Sequence, residues 1–249
     1  MEAIETASDR RQPFREKRGQ GVIVFDPMRL GQVTPALFDP ASYGANAQPV
    51  QGRGGRGAAW FVRGGFGEGV LRHYRRGGWM ARFSEDAYFW LGERRARSFS
   101  EFALLQRMYR AGLPVPAPIA AAYLRRGWYY RAAIVVERIA GARSFAELVD
   151  ADGAGAPWTA VGAAIAACHR FRAHHADLNA HNILVGHGRS AYLIDWDKGR
   201  VEPAIGAWCE RTLDRLERSL RKSCKASAAN DITDGMKILR AAHRTELQA

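Results

Sequence analysis

His174-His-Ala-Asp-Leu-Asn-Ala-His-Asn-Ile-Leu-Val185, HHADLNAHNILV, sets an Asp, two Asn and three His around the start of an apolar run. The run itself reads as a short buried strand. Metal chelation is the first chemistry to weigh. It would recruit His169, His174, His175, His181 and His187, with Cys168 beside them. Structural zinc asks for ligand pairs on convergent turns. Here His174 and His175 are adjacent and diverge, and no CxxC or HExxH accompanies them. Histidines in ordinary hydrogen bonds are the better reading of that cluster.

Phosphoryl transfer explains more of the stretch. A kinase-type catalytic loop carries His, then an Asp that takes the proton of the attacking hydroxyl, then an Asn five residues later whose amide oxygen helps hold Mg²⁺. His175, Asp177 and Asn182 keep that spacing. The same chemistry needs a second metal-binding Asp at the end of a following short strand, and AYLIDWD supplies Asp195. A lone D-x-x-x-x-N is a weak signal; with the apolar strand and Ile-Asp-Trp-Asp behind it, the signal is strong.

Working outward, residues 1–20 are polar and read as a flexible segment, and Gly21–Phe25 as a first strand. Prolines 27, 35, 40 and 49 make residues 26–51 irregular, with one short helix near Pro35. GRGGRG (52–57), AAWFV (58–62) and GVLRHY (69–74) read as a glycine-rich loop followed by a β-hairpin. Gly52, Gly54, Gly55 and Gly57 are candidates for covering phosphates, although Arg/Gly runs also make plain flexible loops. No Lys occurs between Lys17 and Lys198, so the strand lysine usual in kinases is absent and Arg72 stands in its expected place. An arginine offers phosphates a permanent, planar cation. Its expected partner is Glu101, on a helix spanning 97–112 that Ser98 or Ser100 caps and Gly112 closes. Strands follow at 118–124 and 129–139. Helices then dominate, at 144–149, 157–172, 205–225 and from 231, interrupted by a small hairpin around GHGRS. The expected organisation is α+β: a β-rich lobe over 21–139, a mainly helical lobe over 140–249, and the active site in the cleft.

The formal charge of +12 favours an anionic partner, whether nucleic acid, acidic membrane or phosphorylated substrate. Three cysteines without a CxxC pair fit a reducing cytoplasm. The N-terminus shows no secretory signal, and the longest small-apolar run is too short to span a bilayer, so any membrane role is peripheral.

HADLNAHNILV, LIDWDKGR, GRG followed by AAWFV, VLRHYRRGG and GLPVPAP together resemble the lipopolysaccharide core kinases. The likeness is to the 3-deoxy-D-manno-octulosonic acid (Kdo) kinase type of that family, within the protein-kinase-like superfamily, from about residue 20 to residue 222. The resemblance implies a bilobal kinase-like fold using ATP and Mg²⁺. It implies phosphorylation of the 4-hydroxyl of Kdo on a Kdo-lipid A precursor (Kdo-lipid IVA), by a peripheral protein on the cytoplasmic side of the inner membrane. It implies Asp177 as the catalytic residue, Asn182 and Asp195 as metal ligands, Arg72 and Glu101 as the phosphate clamp. A hinge from Val136 to Ile139, including Glu137 and Ile139, would hold adenine through backbone groups. His-Ala-Asp for His-Arg-Asp, Asp-Trp-Asp for Asp-Phe-Gly and the short C-terminal half depart from protein kinases and point to a small or glycolipid acceptor. RHYRRGG (72–78) and residues 211–225 are basic stretches suited to acceptor phosphates or an anionic leaflet. Leu213, Leu216 and Leu220 share one face of the second, which suits either core or membrane. A heptose kinase or an aminoglycoside-type phosphotransferase shares the Asp-x-x-x-x-Asn logic. A basic nucleic-acid-binding protein would explain the charge but not Asp177, Asn182 and Asp195 together. Nothing else points to nucleic acid, or to a protein partner.

Overall fold

Alanines at 120–122 allow one strand to be covered on both faces, and the sheet of this protein is built around it. The structure is a computed structural model describing residues 9–17, 19–50, 59–74 and 88–249. The chain divides into two compact units, residues 1–103 with 117–138, and residues 104–116 with 139–249.

The first unit holds β1 (Arg10–Glu16), β2 (Gly19–Phe25), β3 (Ala47–Pro49), β4 (Ala59–Gly64), β5 (Gly67–His73), β6 (Tyr88–Phe89), β7 (Pro118–Arg126) and β8 (Tyr129–Glu137). They form one antiparallel sheet in the order β1-β2-β7-β8-β5-β4-β3, with β6 also on β8. Ile23, Phe25, Val33, Phe38, Val62, Leu71, Ile119 and Val135 close into its apolar cluster. Two expectations need correcting. Residues 10–16, expected to be loose, pair with β2 from Arg10↔Phe25 to Glu16↔Gly19; a strand exposed at the sheet edge needs no apolar pattern. Neither Ser98 nor Ser100 caps α1 (Arg97–Arg110). Ser98 is buried inside the helix, where its hydroxyl donates to the Ala122 carbonyl of β7 at 2.9 Å, and Ser100 donates to the Arg94 carbonyl at 3.2 Å. Gly112 does close the helix, at φ +73°, where a side chain would be strained. The first-unit boundary cuts α1 after Ala103.

In the second unit, β9 (Arg143–Ser144) leads into α2 (Phe145–Ala151), whose capping box pairs the Ser144 hydroxyl with the Glu147 amide and the Glu147 carboxylate with the Ser144 amide. Next come α3 (Trp158–Arg170), β10 (Ala173–His174), β11 (Ile183–Val185), β12 (Ala191–Leu193), β13 (Arg200–Val201), α4 (Trp208–Ser223) and α5 (Ala229–Gln248). Helices α3 and α5 touch through glycines: a Cβ on Gly162 would stand 2.4 Å from the Leu239 carbonyl oxygen, and one on Gly235 2.0 Å from the Trp158 ring. Strands β11 and β12 make the expected hairpin, and β9 joins its free edge. Leu213, Leu216 and Leu220 of α4 are fully buried, so that face belongs to the core and not to a membrane.

Candidate active site

The polar crowd lies between β10 and β11, both anchored in small sheets, and every part of it is tied. His175 is buried, and its ring packs against Trp196 with centroids 4.7 Å apart. The Asp177 amide donates to His175 Nδ1 at 3.2 Å. That leaves the ring proton on Nε2, which donates to the Ile194 carbonyl at 2.9 Å. Burial pushes the His175 pKa below its ordinary value, consistent with this neutral tautomer. His175 therefore joins the Asp177 main chain to the strand end that carries Asp195. Asn182 Nδ2 donates to the Asp177 carbonyl at 3.0 Å, and Asn179 Nδ2 does the same at 3.1 Å. Asn179 Oδ1 accepts the amides of His181 and Asn182 at 3.0 and 3.2 Å. The loop's main chain is thus spent inwardly, while the Asp177 side chain is 68% exposed.

Asp195 follows β12 with φ +63°, a left-handed conformation that Asp tolerates better than most residues and that turns the chain sharply. Trp196 locks the turn: it is buried, and its Nε1 donates to the Leu193 carbonyl at 2.9 Å. Amide and carboxylate oxygens are the donor types a hard cation takes. Because the Asn182 NH₂ must be the group facing the Asp177 carbonyl, its oxygen is the end directed elsewhere, and the Asp195 carboxylate is exposed. Among the described residues no cluster of three or more His, Cys, Asp or Glu can hold a metal. His174 instead bonds Glu202 at 2.8 Å, and His169 pairs with His243 at 2.8 Å.

In the first unit, Arg72 of β5 and Glu101 of α1 meet. Arg72 Nη2 donates to both carboxylate oxygens, at 2.6 and 2.5 Å. The Glu101 side chain is 2% exposed and that of Arg72 23%. The Tyr74 hydroxyl also donates to Glu101, and the Arg72 guanidinium lies 5.3 Å from the Tyr74 ring centroid. Burial and the Glu101 carboxylate hold the Tyr74 hydroxyl well above the usual phenol range. Gly52, Gly54, Gly55 and Gly57, with Arg75 and Arg76, lie outside the described residues. At the expected hinge, the Glu137 amide donates to the Ala117 carbonyl at 2.8 Å and the Arg138 amide to Glu68 at 3.1 Å. Both amides are therefore already used within the first unit.

Residues 43–235 match the lipopolysaccharide kinase (Kdo/WaaP) family. The chain belongs to that family. It is 52% identical over 210 residues to the 3-deoxy-D-manno-octulosonic acid kinase of Xanthomonas axonopodis pv. citri, covering 84% of each chain. It is 49% identical over 231 residues to the protein of the same name in Stenotrophomonas maltophilia, covering 93% of this chain and 92% of that one. Membership in a lipopolysaccharide kinase family makes this protein a phosphotransferase of α+β, protein-kinase-like architecture, and implies that it uses ATP. One contact in this lipopolysaccharide kinase had no signal in the sequence: Arg215 of α4 donates to Asp177 Oδ1 at 2.8 Å. One turn later the Ser219 hydroxyl accepts the Ala180 amide at 3.1 Å, fastening α4 to the same loop.

Proposed function

We propose that this protein transfers the γ-phosphoryl group of ATP to the 4-hydroxyl of Kdo on a Kdo-lipid A precursor. The observation that carries the proposal is the catalytic loop. Asp177 presents an exposed carboxylate while His175, Asn179 and Asn182 hold its main chain. This loop occurs in a chain about half identical to proteins named Kdo kinase over most of their length.

Asp177 accepts the proton of the attacking hydroxyl as that oxygen bonds to the γ-phosphorus and the bond to the β-phosphate oxygen breaks. The rigid main chain on either side of Asp177 keeps the base oriented at no cost during the reaction. Arg72, oriented by Glu101, holds ATP phosphates through charge-assisted hydrogen bonds. Main-chain groups near Glu137 and Ile139 hold adenine. Asn182 and Asp195 hold Mg²⁺, which when bound neutralises charge on the phosphates. The protein acts peripherally on the cytoplasmic side of the inner membrane. No described helix is long and apolar enough to cross a membrane, and the charge of +12 suits an anionic leaflet.

Incubation with ATP, Mg²⁺ and Kdo-lipid A precursor tests the reading. The expected product carries one added phosphate, located at C4 of Kdo by NMR. Preferential phosphorylation of a heptose-terminated acceptor would overturn it.

A further inference from the structure

Helix α4 carries Arg211, Arg215, Arg218 and Lys222 at alternating spacings of four and three residues, which aligns them on one face. All four are exposed. The acids of the same helix do not neutralise them. Glu210, Asp214 and Glu217 are all taken by Arg240 of α5, at 2.6, 2.7 and 3.4 Å, and Glu217 also by Arg221 at 2.8 Å. Among the described residues Arg211, Arg218 and Lys222 enter no ion pair, whereas Arg215 reaches Asp177. With Ser219 on the Ala180 amide, the cationic row lies directly beside the catalytic loop.

We propose that this face of α4 binds the anionic groups of the phosphoryl acceptor, with Arg215 bridging an acceptor carboxylate or phosphate and Asp177. The inference rests on the Kdo-glycolipid reading above and adds the surface that recognises the acceptor. Arg211, Arg218 and Lys222, like charges on one face that are unpaired among the described residues, repel one another and Arg215, and a polyanion relieves that repulsion. From Arg211 to Lys222 the row spans about 16 Å at the helical rise per residue, long enough for several anionic groups at once. The Arg215–Asp177 pair is half-exposed at the arginine and mostly exposed at the aspartate, so it is weakly held and readily shared. A guanidinium has five N–H donors, so one nitrogen can stay on Asp177 while the others take the acceptor's anion. Arg215 then places the acceptor hydroxyl beside the base. It is a positioning residue, reading the acceptor rather than ATP.

The test uses the full chain, with ATP and acceptor varied separately. Arg215→Ala is expected to raise the acceptor KM roughly tenfold or more, the loss of a charged hydrogen bond, without a matching rise in the ATP KM. Arg215→Lys should recover only part, because a point charge cannot bridge two anions as a planar fork does. Lys237→Ala, which removes an exposed cation paired with Asp234 on α5, controls for net charge. In a second arm without ATP, the Arg211→Ala/Arg218→Ala/Lys222→Ala variant is sedimented with two vesicle types. One is phosphatidylcholine carrying Kdo-lipid A precursor, and the other is phosphatidylglycerol without it. Loss of binding to the first alone supports the proposal. Equal loss on both makes the row a general anionic-surface contact and overturns it, as does an unchanged acceptor KM in Arg215→Ala. Absence of any phosphorylation by the unaltered protein would instead sink the Kdo-kinase reading, while the vesicle arm still decides the anion site.

Discussion

Replacing Arg72 by Met removes a guanidinium from a carboxylate that is almost wholly buried, with Glu101 at 2% exposure. An ion pair that loses one buried partner costs about 3–5 kcal/mol, because the remaining charge has no comparable solvation. For a chain of this size each kcal/mol moves the melting midpoint by roughly 2–4 °C, so the expected drop is roughly 6–20 °C. Adding Glu101→Gln removes the buried negative charge, which the Tyr74 hydroxyl still contacts in Arg72→Met. The double variant should therefore be more stable than Arg72→Met alone, with a coupling of about 2 kcal/mol in the double-mutant cycle. ATP use tests the proposed phosphate contact of Arg72 apart from its structural one: stability is expected to return in the double variant, whereas the KM for ATP is expected to stay raised because no cation replaces Arg72. Urea and thermal unfolding of the four proteins, with steady-state kinetics varied in ATP, measure both effects. Additive stability losses would show that the pair is not energetically coupled. A double variant with the unaltered KM for ATP would refute Arg72 as the substitute for the missing lysine.

Asp177→Asn should lower turnover by about 10²–10⁴, the usual loss for a positioned base, and near-normal turnover would remove Asp177 from its role. Its melting midpoint should barely move, because the exposed pair with Arg215 is worth only about 0–1 kcal/mol. Asp195→Asn should weaken Mg-ATP binding measured by calorimetry, since an amide is a poorer ligand for a hard cation; unchanged affinity assigns Asp195 elsewhere. Gly235→Ala forces a methyl to 2.0 Å from the Trp158 ring, an overpacking cost of about 1–3 kcal/mol that outweighs up to about 1 kcal/mol of helix propensity. A higher urea midpoint in that variant would show that α3 and α5 can separate freely. Burial, with help from neighbouring His243, pushes the His169 pKa down to about 3, and burial also lowers those of His175 and His243. In the unfolded chain each takes a proton below about pH 6.5. The unfolded state then binds more protons, so this stability is complete above about pH 6.5 and is lost as pH falls towards the folded values. For His169 the slope approaches about 1.4 kcal/mol per pH unit, His175 and His243 act in the same direction, and a flat urea midpoint between about pH 6.5 and 5 would refute it.

The contacts among the candidate residues were legible where they are local. Asp177 and Asn182 share one loop, where the Asn amide reaches the Asp carbonyl, and Asp195 ends the very next hairpin. Arg72 and Glu101 were legible for a different reason: with no lysine between Lys17 and Lys198, the strand cation had one sensible candidate, and the next helix offered a Glu. Strands carrying a buried apolar pattern were equally plain. Strand β1 was not, since an exposed edge strand of Arg, Gln and Glu has the composition of a disordered tail, and only its partner β2 makes it a strand. Ser98 reads as a helix cap until β7 supplies the Ala122 carbonyl it prefers. The leucines of α4 have a periodicity that core and membrane satisfy alike, and packing alone assigned them to the core. His169 with His243, and Asp177 with Arg215, are partners from distant parts of the sequence. Spacing along a chain predicts what neighbours can do; which distant side chains become neighbours is decided only when burial of apolar surface brings the helices and loops together.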